Sequence, residues 1–357
     1  MVEVACRYFP DKFISRRWKS YSKLMIVEDG EKWVFSEISK ELARICATLN
    51  IEVIENRYRR TTNKQCLFFV SKEVLKFWHK FNHRVAFPYF HGDPKLDNKF
   101  SPYVASIRKN HERISRIQVS CTSVENLVLN TGIDPSKVFK IPISIDPNLF
   151  QRVNPSFKRA SRQKYGVPND ALVIGSFQKD GIGMGAGDAP KLIKGPDIFL
   201  NVLEILKQDY DELFVLLSGL ARGYVKTGLE KLGIPYKDLG LVDYREICDL
   251  YHALDLYIVA SREEGGPRAV LESMAAGIPL VSTRVGQAVD LVRHGENGWL
   301  ADVGHVEEIA WWSKYVIENS GNLGPVINEA SETSKQNNYE SQLGLWRQFM
   351  SGFVEQK

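Results

Sequence analysis

LDLYIVASREEGGPRAVLESMAAGIPLVST, Leu254 to Thr283, reads as a strand, a glycine-rich turn, a short helix and a second strand. Leu256 to Ala260 is a continuous apolar run with β-branched residues, the pattern of a parallel strand buried on both faces. Gly265, Gly266 and Pro267 break the chain, and Pro267 suits a first helical position because its missing N–H is no loss there. Gly277 ends the helix and Pro279 forbids its continuation, so Leu280 and Val281 begin the next strand. Backbone N–H groups at a helix start, on the carboxyl edge of a parallel sheet, form a place for anions, phosphates above all.

Two carboxylates frame that turn, Glu264 within it and Glu272 in the second helical turn, with seven residues between them. A carboxylate accepts two hydrogen bonds side by side and so suits a vicinal diol. Diphosphate plus two diols describes a nucleotide sugar. Taken alone, such a glutamate pair is more often a helix cap and a solvated side chain. With Ser273-Met274-Ala275-Ala276-Gly277-Ile278-Pro279 attached, it resembles the signature of the retaining glycosyltransferases of family four, glycosyl transferases group 1.

The resemblance implies an α/β chain of GT-B architecture, two Rossmann-like domains facing across a cleft. The expected domains are residues 1–150 on the acceptor side and 151–337 for the nucleotide sugar. A final helix, about 338–357, is expected to pack back on the first. Pro142, Pro147, Pro155 and the polar run after them mark the boundary. The stretch from Ser123 to Ile133, Lys137-Val138, Ile141-Pro142 and Ile145-Asp146 resemble the family's linker region, with Ile143 where an Asn is usual.

The chain alternates strand and helix throughout. Lys23–Val27 reads as the first strand and is followed by Gly30, a turn residue that the resemblance places near the donor phosphates. Further strands are expected at 51–54, 66–70, 84–90, 117–120 and 138–141, and helices at 72–81, 101–114 and 123–130. His91 follows the strand Arg84–Phe90 directly, where a side chain points into the ligand crevice of a parallel sheet. The resemblance makes it a contact to the transferred sugar. In the second half, Lys179 and Lys194 stand where the family clamps the donor diphosphate. Lys179 replaces an Arg and so keeps the charge without the two-pronged fork. The resemblance implies that the loop near Gly240 meets the nucleobase through main-chain groups. Gln287 stands where a second Gly is common and Asp290 where a Glu is. Val303 to Asn338 is left unassigned, and the last helix is expected over Tyr339–Val354.

Other chemistries read poorly. His79 and His83 have metal-ligand spacing on an expected helix, yet no Glu or Cys completes a site. Gly181 to Gly187 lacks the Gly-Lys-Ser/Thr end of a phosphate loop. It reads as a surface loop, with a flap over the phosphates as the second reading. Asp209-Tyr210-Asp211 precedes its strand and reads as a turn, not a metal motif. The five cysteines are scattered, with no C-x-x-C pair, as suits reduced thiols in a cytoplasm. No apolar run approaches the roughly 20 residues of a membrane helix, and residues 1–30 lack the core of a signal peptide.

Net charge is +4, but residues 1–150 carry 25 Lys and Arg against 16 Asp and Glu. Arg16-Arg17, Lys19, Arg57, Arg59 and Arg60 supply much of this excess. It reads first as a solvated face and second as a surface for an anionic membrane or a lipid-linked acceptor. Aromatics do not interleave with these charges, which disfavours nucleic acid.

The expected function is metal-independent, retaining sugar transfer from a UDP- or GDP-sugar to a glycan, lipid-linked or small-molecule acceptor. No cofactor is expected, and the site is cytoplasmic, on the inner face of the membrane if peripheral. His91 and Glu264 are the catalytic candidates. Lys179, Lys194, Gly265, Gly266, Pro267, Arg268 and Glu272 are the donor-binding ones, with Gly30 and Gly240 as weaker additions. The rivals are a nucleotide-sugar epimerase or phosphorylase on the same fold, and a non-catalytic binding subunit that the changes at Lys179 and Gln287 would suit.

Overall fold

Each half of the chain folds around one all-parallel sheet. The computed structural model describes residues 21–27, 34–54, 66–76, 83–183 and 185–355. Among these the first sheet has strands β1 (Lys23–Val27), β2 (Glu52–Ile54), β3 (Cys66–Phe69), β4 (Arg84–Pro88), β5 (Arg116–Val119) and β6 (Val138–Lys140), in the order β2-β1-β3-β4-β5-β6. The second has β7 (Leu172–Phe177), β8 (Leu213–Ser218), β9 (Tyr236–Asp238), β10 (Leu256–Val259), β11 (Leu280–Thr283) and β12 (Trp299–Ala301), in the order β12-β11-β10-β7-β8-β9. Every pairing in both sheets is parallel.

Strands such as CLFF and LYIV are buried along their whole length, because helices cover both faces of a parallel sheet. Each sheet therefore has two apolar layers. Leu67, Phe87, Val104 and Ile117 lie in one layer of the first sheet, and Leu24, Ile45, Phe68 and Phe349 in the other. In the second, Val173, Tyr251, Leu271 and Ala288 share one layer, while Ile174, Val202, Leu217 and Trp299 share the other.

The chain divides into two compact units at Pro142 and Ile143, and residues from Tyr339 onward return to the first. The sequence reading drew this line near residue 150; the segment after Pro142 instead packs with the second unit, where Ile145 and Phe150 join the Tyr251 layer. The polar run taken as boundary is a helix, Pro155–Tyr165, with Asn154 capping two backbone N–H groups and Gly166 in the left-handed conformation at its end. The unassigned stretch holds two more helices, Val306–Glu318 and Gly324–Gln336. The expected helix 72–81 is described only as the 3-10 turn Lys72–Lys76.

The last helix is shorter than expected, Leu343–Met350. Trp346, Phe349, Met350 and Phe353 enter the first unit's core, with Phe349 ring centroids 5.9 Å from Phe68 and 5.2 Å from Phe139. Carbonyls at its end and just beyond it are met by the arginines that open β4 and β5. Arg84 donates to Phe353 O at 3.0 Å, and Arg116 to Phe349 O at 3.3 Å and Ser351 O at 2.9 Å.

Phe349→Ala should therefore destabilise the protein by about 3–5 kcal/mol in urea unfolding. A loss below about 1 kcal/mol would show that this segment is not part of the core.

Candidate active site

In the second sheet β7 and β10 are neighbours, although β7 continues to β8 on one side and β10 to β11 on the other. Loops leaving such a pair diverge and open a crevice at the strands' carboxyl ends. The loop after β7 carries Lys179 and Lys194; the loop after β10 carries Glu264.

The two loops are tied together. Lys194 ends a 3-10 turn, Leu192–Lys194, which Gly195 stops at φ +64°. A Cβ on Gly195 would lie 1.8 Å from the Ala260 carbonyl oxygen, so only glycine lets this turn rest on the end of β10. Arg262 and Glu263 donate their N–H groups to Ile193 O, and the Arg262 guanidinium grips Asp197 with two bonds of 2.7 and 2.6 Å. The result places Lys194 Nζ 2.5 Å from Glu264 Oε1, which also accepts from Ser261 Oγ at 2.9 Å. Both side chains are mostly buried, 23% and 11% exposed.

The turn 265–267 leads into the helix Arg268–Ala276, in which Pro267 is the N-cap and not the first helical residue as expected, with no side-chain cap. Gly286 approaches so closely that its Cβ would meet Glu264 O and Gly265 O at 2.6 Å. Gln287 is wholly buried. Its N–H donates to Gly265 O, its Oε1 accepts from Ile143 N at 2.9 Å, and its Nε2 donates to Ile143 O and Pro267 O. Ile143 in turn covers Gly266, where a Cβ would be 2.7 Å from Ile143 Cδ1. Two of the departures noted in the sequence, Ile143 and Gln287, thus touch each other and brace the turn.

Glu272 is not on a solvated side of its helix. It is 6% exposed, and burial pushes its carboxyl above the usual range, opposed by Arg268 and by two phenols. Tyr244 Oη donates to Oε1 and Tyr251 Oη to Oε2, both at 2.9 Å. The sequence reading missed both tyrosines.

It also missed Arg222. This arginine is 2% exposed and donates to Ser176 O, Gln178 O and Ser218 O and to Ser176 Oγ, joining the ends of β7 and β8. It faces Asp180 at 3.2 Å, both side chains 1% exposed. Burial pushes the Asp180 carboxyl up to about 6 and lowers the Arg222 value. Lys179, half-buried, directly precedes this pair. The glycine-rich stretch beyond it is held at its root: Gly223 N donates to Ala186 O, Tyr224 N to Gly187 O, and Ile182 N to Ala189 O. Gly240 lies past β9, its carbonyl accepting from Gly219 N and Ser218 Oγ.

In the first unit β4 ends at Pro88, two residues short of the expected Phe90, so His91 lies three residues past the strand and not directly after it. Its carbonyl accepts from the Lys72 ammonium and its ring meets Phe100 edge-on at 5.6 Å. Lys72 itself lies over Phe100, Tyr89 and Tyr103, at 4.4, 5.2 and 5.6 Å from the ring centroids. Gly30, His79 and the clusters at Arg16-Arg17 and Arg57 to Arg60 lie outside the described residues. Burial lowers His83 to about 4. Among the described residues no group of three or more His, Cys, Asp or Glu could hold a metal, and no helix is long and apolar enough to cross a membrane.

Known proteins resemble this chain in sequence over the second unit and in fold over most of its length. Residues 189–339 match the family described as Glycosyl transferases group 1. The D-inositol 3-phosphate glycosyltransferase of Xylanimonas cellulosilytica is 31% identical over 196 residues, covering 52% of this chain and 44% of that protein. D-inositol 3-phosphate glycosyltransferase 1 of Catenulispora acidiphila is 29% identical over 194 residues, covering 51% and 43%. The match thus spans less than half the length of these relatives. Among solved structures, Anabaena HepE in complex with UDP and glucose superposes with a TM-score of 0.73 at 18% identity, covering 92% of this chain and 99% of that one. The sucrose-phosphate synthase of Thermosynechococcus elongatus gives 0.66 at 14%, covering 97% and 82%. The fold is the GT-B arrangement of two Rossmann-like domains, and the second carries a glycosyl transferases group 1 domain.

Arg222→Leu should cost about 3–5 kcal/mol at pH 8, where it leaves an ionised Asp180 buried and alone. The loss should be smaller at pH 5, below the folded value of about 6, where Asp180 carries a proton. In the intact protein the raised folded value means that Asp180's contribution to stability declines as pH rises between ~4, its unfolded value, and about 6. Urea titrations of wild type, Arg222→Leu and Asp180→Asn test this; equal losses at both pH values refute the assignment.

Proposed function

We propose that this chain is a retaining glycosyltransferase that moves a hexose from a nucleotide sugar to an acceptor hydroxyl without a metal. The observation that carries it is the Lys194–Glu264 pair beside the uncapped helix start at Pro267, on the switch edge between β7 and β10. A diphosphate there would meet the Lys194 ammonium, helix N–H groups and, from the loop after β7, Lys179. These supply the leaving-group stabilisation that a cation provides elsewhere. Partial withdrawal of Lys194 toward phosphate would leave Glu264 to accept sugar hydroxyls and to stabilise positive charge at the anomeric carbon. Glu272 would hold the ribose. His91 keeps the role its resemblance suggests, a hydrogen bond to the transferred sugar. With no separate nucleophile assigned, attack is from the front face: the acceptor oxygen forms its bond to the anomeric carbon as the bond to the diphosphate oxygen breaks. The departing diphosphate takes the acceptor's proton.

UDP-glucose is the first donor to try, since HepE is solved with it, and GDP-sugars follow. The curated relatives' names make a phosphorylated polyol a sensible first acceptor, beside glycans and lipid-linked sugars.

A nucleotide-sugar screen by thermal unfolding should raise the melting temperature with one base, since a ligand at a hundred times its Kd adds about 2.7 kcal/mol. Glu272→Ala should weaken donor binding, whereas Glu264→Ala should lower kcat by ~100-fold or more with donor affinity largely kept. Activity should survive EDTA. No shift with UDP-, GDP- or ADP-sugars would remove the transferase reading.

A further inference from the structure

The carboxylate of Glu272 is held from two sides by side chains from two different elements. Tyr251 belongs to the helix Ile247–His252 and is wholly buried, its ring packed on Phe177 at 5.1 Å and Tyr257 at 5.2 Å. Tyr244 opens the 3-10 turn Tyr244–Glu246, just beyond Gly240, with its ring against Phe150 at 6.3 Å and the Arg268 guanidinium 5.2 Å from its centroid. The phenols do not share an oxygen: one donates to Oε1, the other to Oε2, each at 2.9 Å. An ionised carboxylate has about four lone-pair sites, two on each oxygen. One phenol on each oxygen fixes the plane of the group and leaves a second lone pair on each. Two acceptors side by side match the two hydroxyls of a vicinal diol.

We propose that Tyr244 and Tyr251 are positioning residues for the donor's ribose, fixing the Glu272 carboxylate so that its two oxygens accept the 2′- and 3′-hydroxyls together. This rests on the reading of Glu272 above. The phenols touch the carboxylate and not the sugar, so they set how sharply ribose is recognised. Their hydrogen bonds also favour the ionised carboxylate, opposing the burial that pushes its pKa up.

Calorimetric affinities for UDP, GDP and their 2′-deoxy forms test this on wild type, Tyr244→Phe and Tyr251→Phe. Wild type should prefer the ribonucleotide by about tenfold or more, the worth of a hydrogen bond to a charged group. Either phenylalanine should move that ratio toward one, with deoxynucleotide affinity kept within about threefold. Tyr244 is the less buried of the two, so its variant stands if Tyr251→Phe fails to fold. Equal weakening of both nucleotides, with the ratio unchanged, would mean that the phenols only support the fold, and overturns the proposal alone. No preference in wild type overturns the ribose role of Glu272 and this proposal with it.

Discussion

The site depends on the contact between two loops that leave adjacent parallel strands in opposite directions. Gly195 rests on the Ala260 carbonyl, Arg262 grips Asp197, and Lys194 thereby reaches Glu264. Neither charge would be comfortable alone there. Removing an ion from water costs several kcal/mol, and attraction to a partner offsets this only when geometry is good. Lys194 and Glu264 satisfy each other. If a diphosphate binds as proposed, it competes with Glu264 for the same ammonium, and its binding is coupled to release of the carboxylate.

Around that pair the second sheet's carboxyl edge buries more polar groups than a fold requires. Asp180 faces Arg222, Glu272 holds two phenols, and Gln287 bonds three separate backbone atoms. An apolar core would be as stable or more so. What these groups add is fixed direction. Arg222 sets where β7 and β8 end and so where Lys179 starts; Gln287 sets the height of the turn 265–267 against Ile143. A local breach of the rule that polar groups stay outside is expected where a loop must be held to within fractions of an ångström.

What the sequence disclosed follows from how local each signal is. The strand–turn–helix–strand at Leu254–Thr283 declares itself because burial pattern, glycines and proline all lie within thirty residues. His91 was singled out by its place after a strand, and Lys194 by the Lys194-Gly195-Pro196 that opens a helix. The partners of Glu272 were not: Tyr251 and Tyr244 are 21 and 28 residues away, and nothing in their surroundings marks them as anything but packing aromatics. Arg222 hides similarly, in a turn with no periodicity. The helix Pro155–Tyr165 was within reach, since Asn154, Pro155 and Gly166 are ordinary start and stop signals. Its polar composition drew attention to a boundary instead. Val306–Glu318 was legible too, with buried Ile309, Ala310, Ser313 and Val316 at helical spacing.

Ile143 and Gln287 looked in the sequence like two separate losses, and one of them motivated the idea of an inactive binding subunit. In the fold they are a single replacement. Gln287 supplies a side chain where glycine would supply none, and that side chain bonds the backbone of Ile143 in both directions. Ile143, apolar where an amide is usual, then lies over Gly266. Two changes that fit each other and hold the same loop are what a maintained site would show. A decaying one would accumulate changes that do not meet. The Lys179 change stands apart from this pair, but it keeps a positive charge, which is the property the proposed diphosphate contact requires.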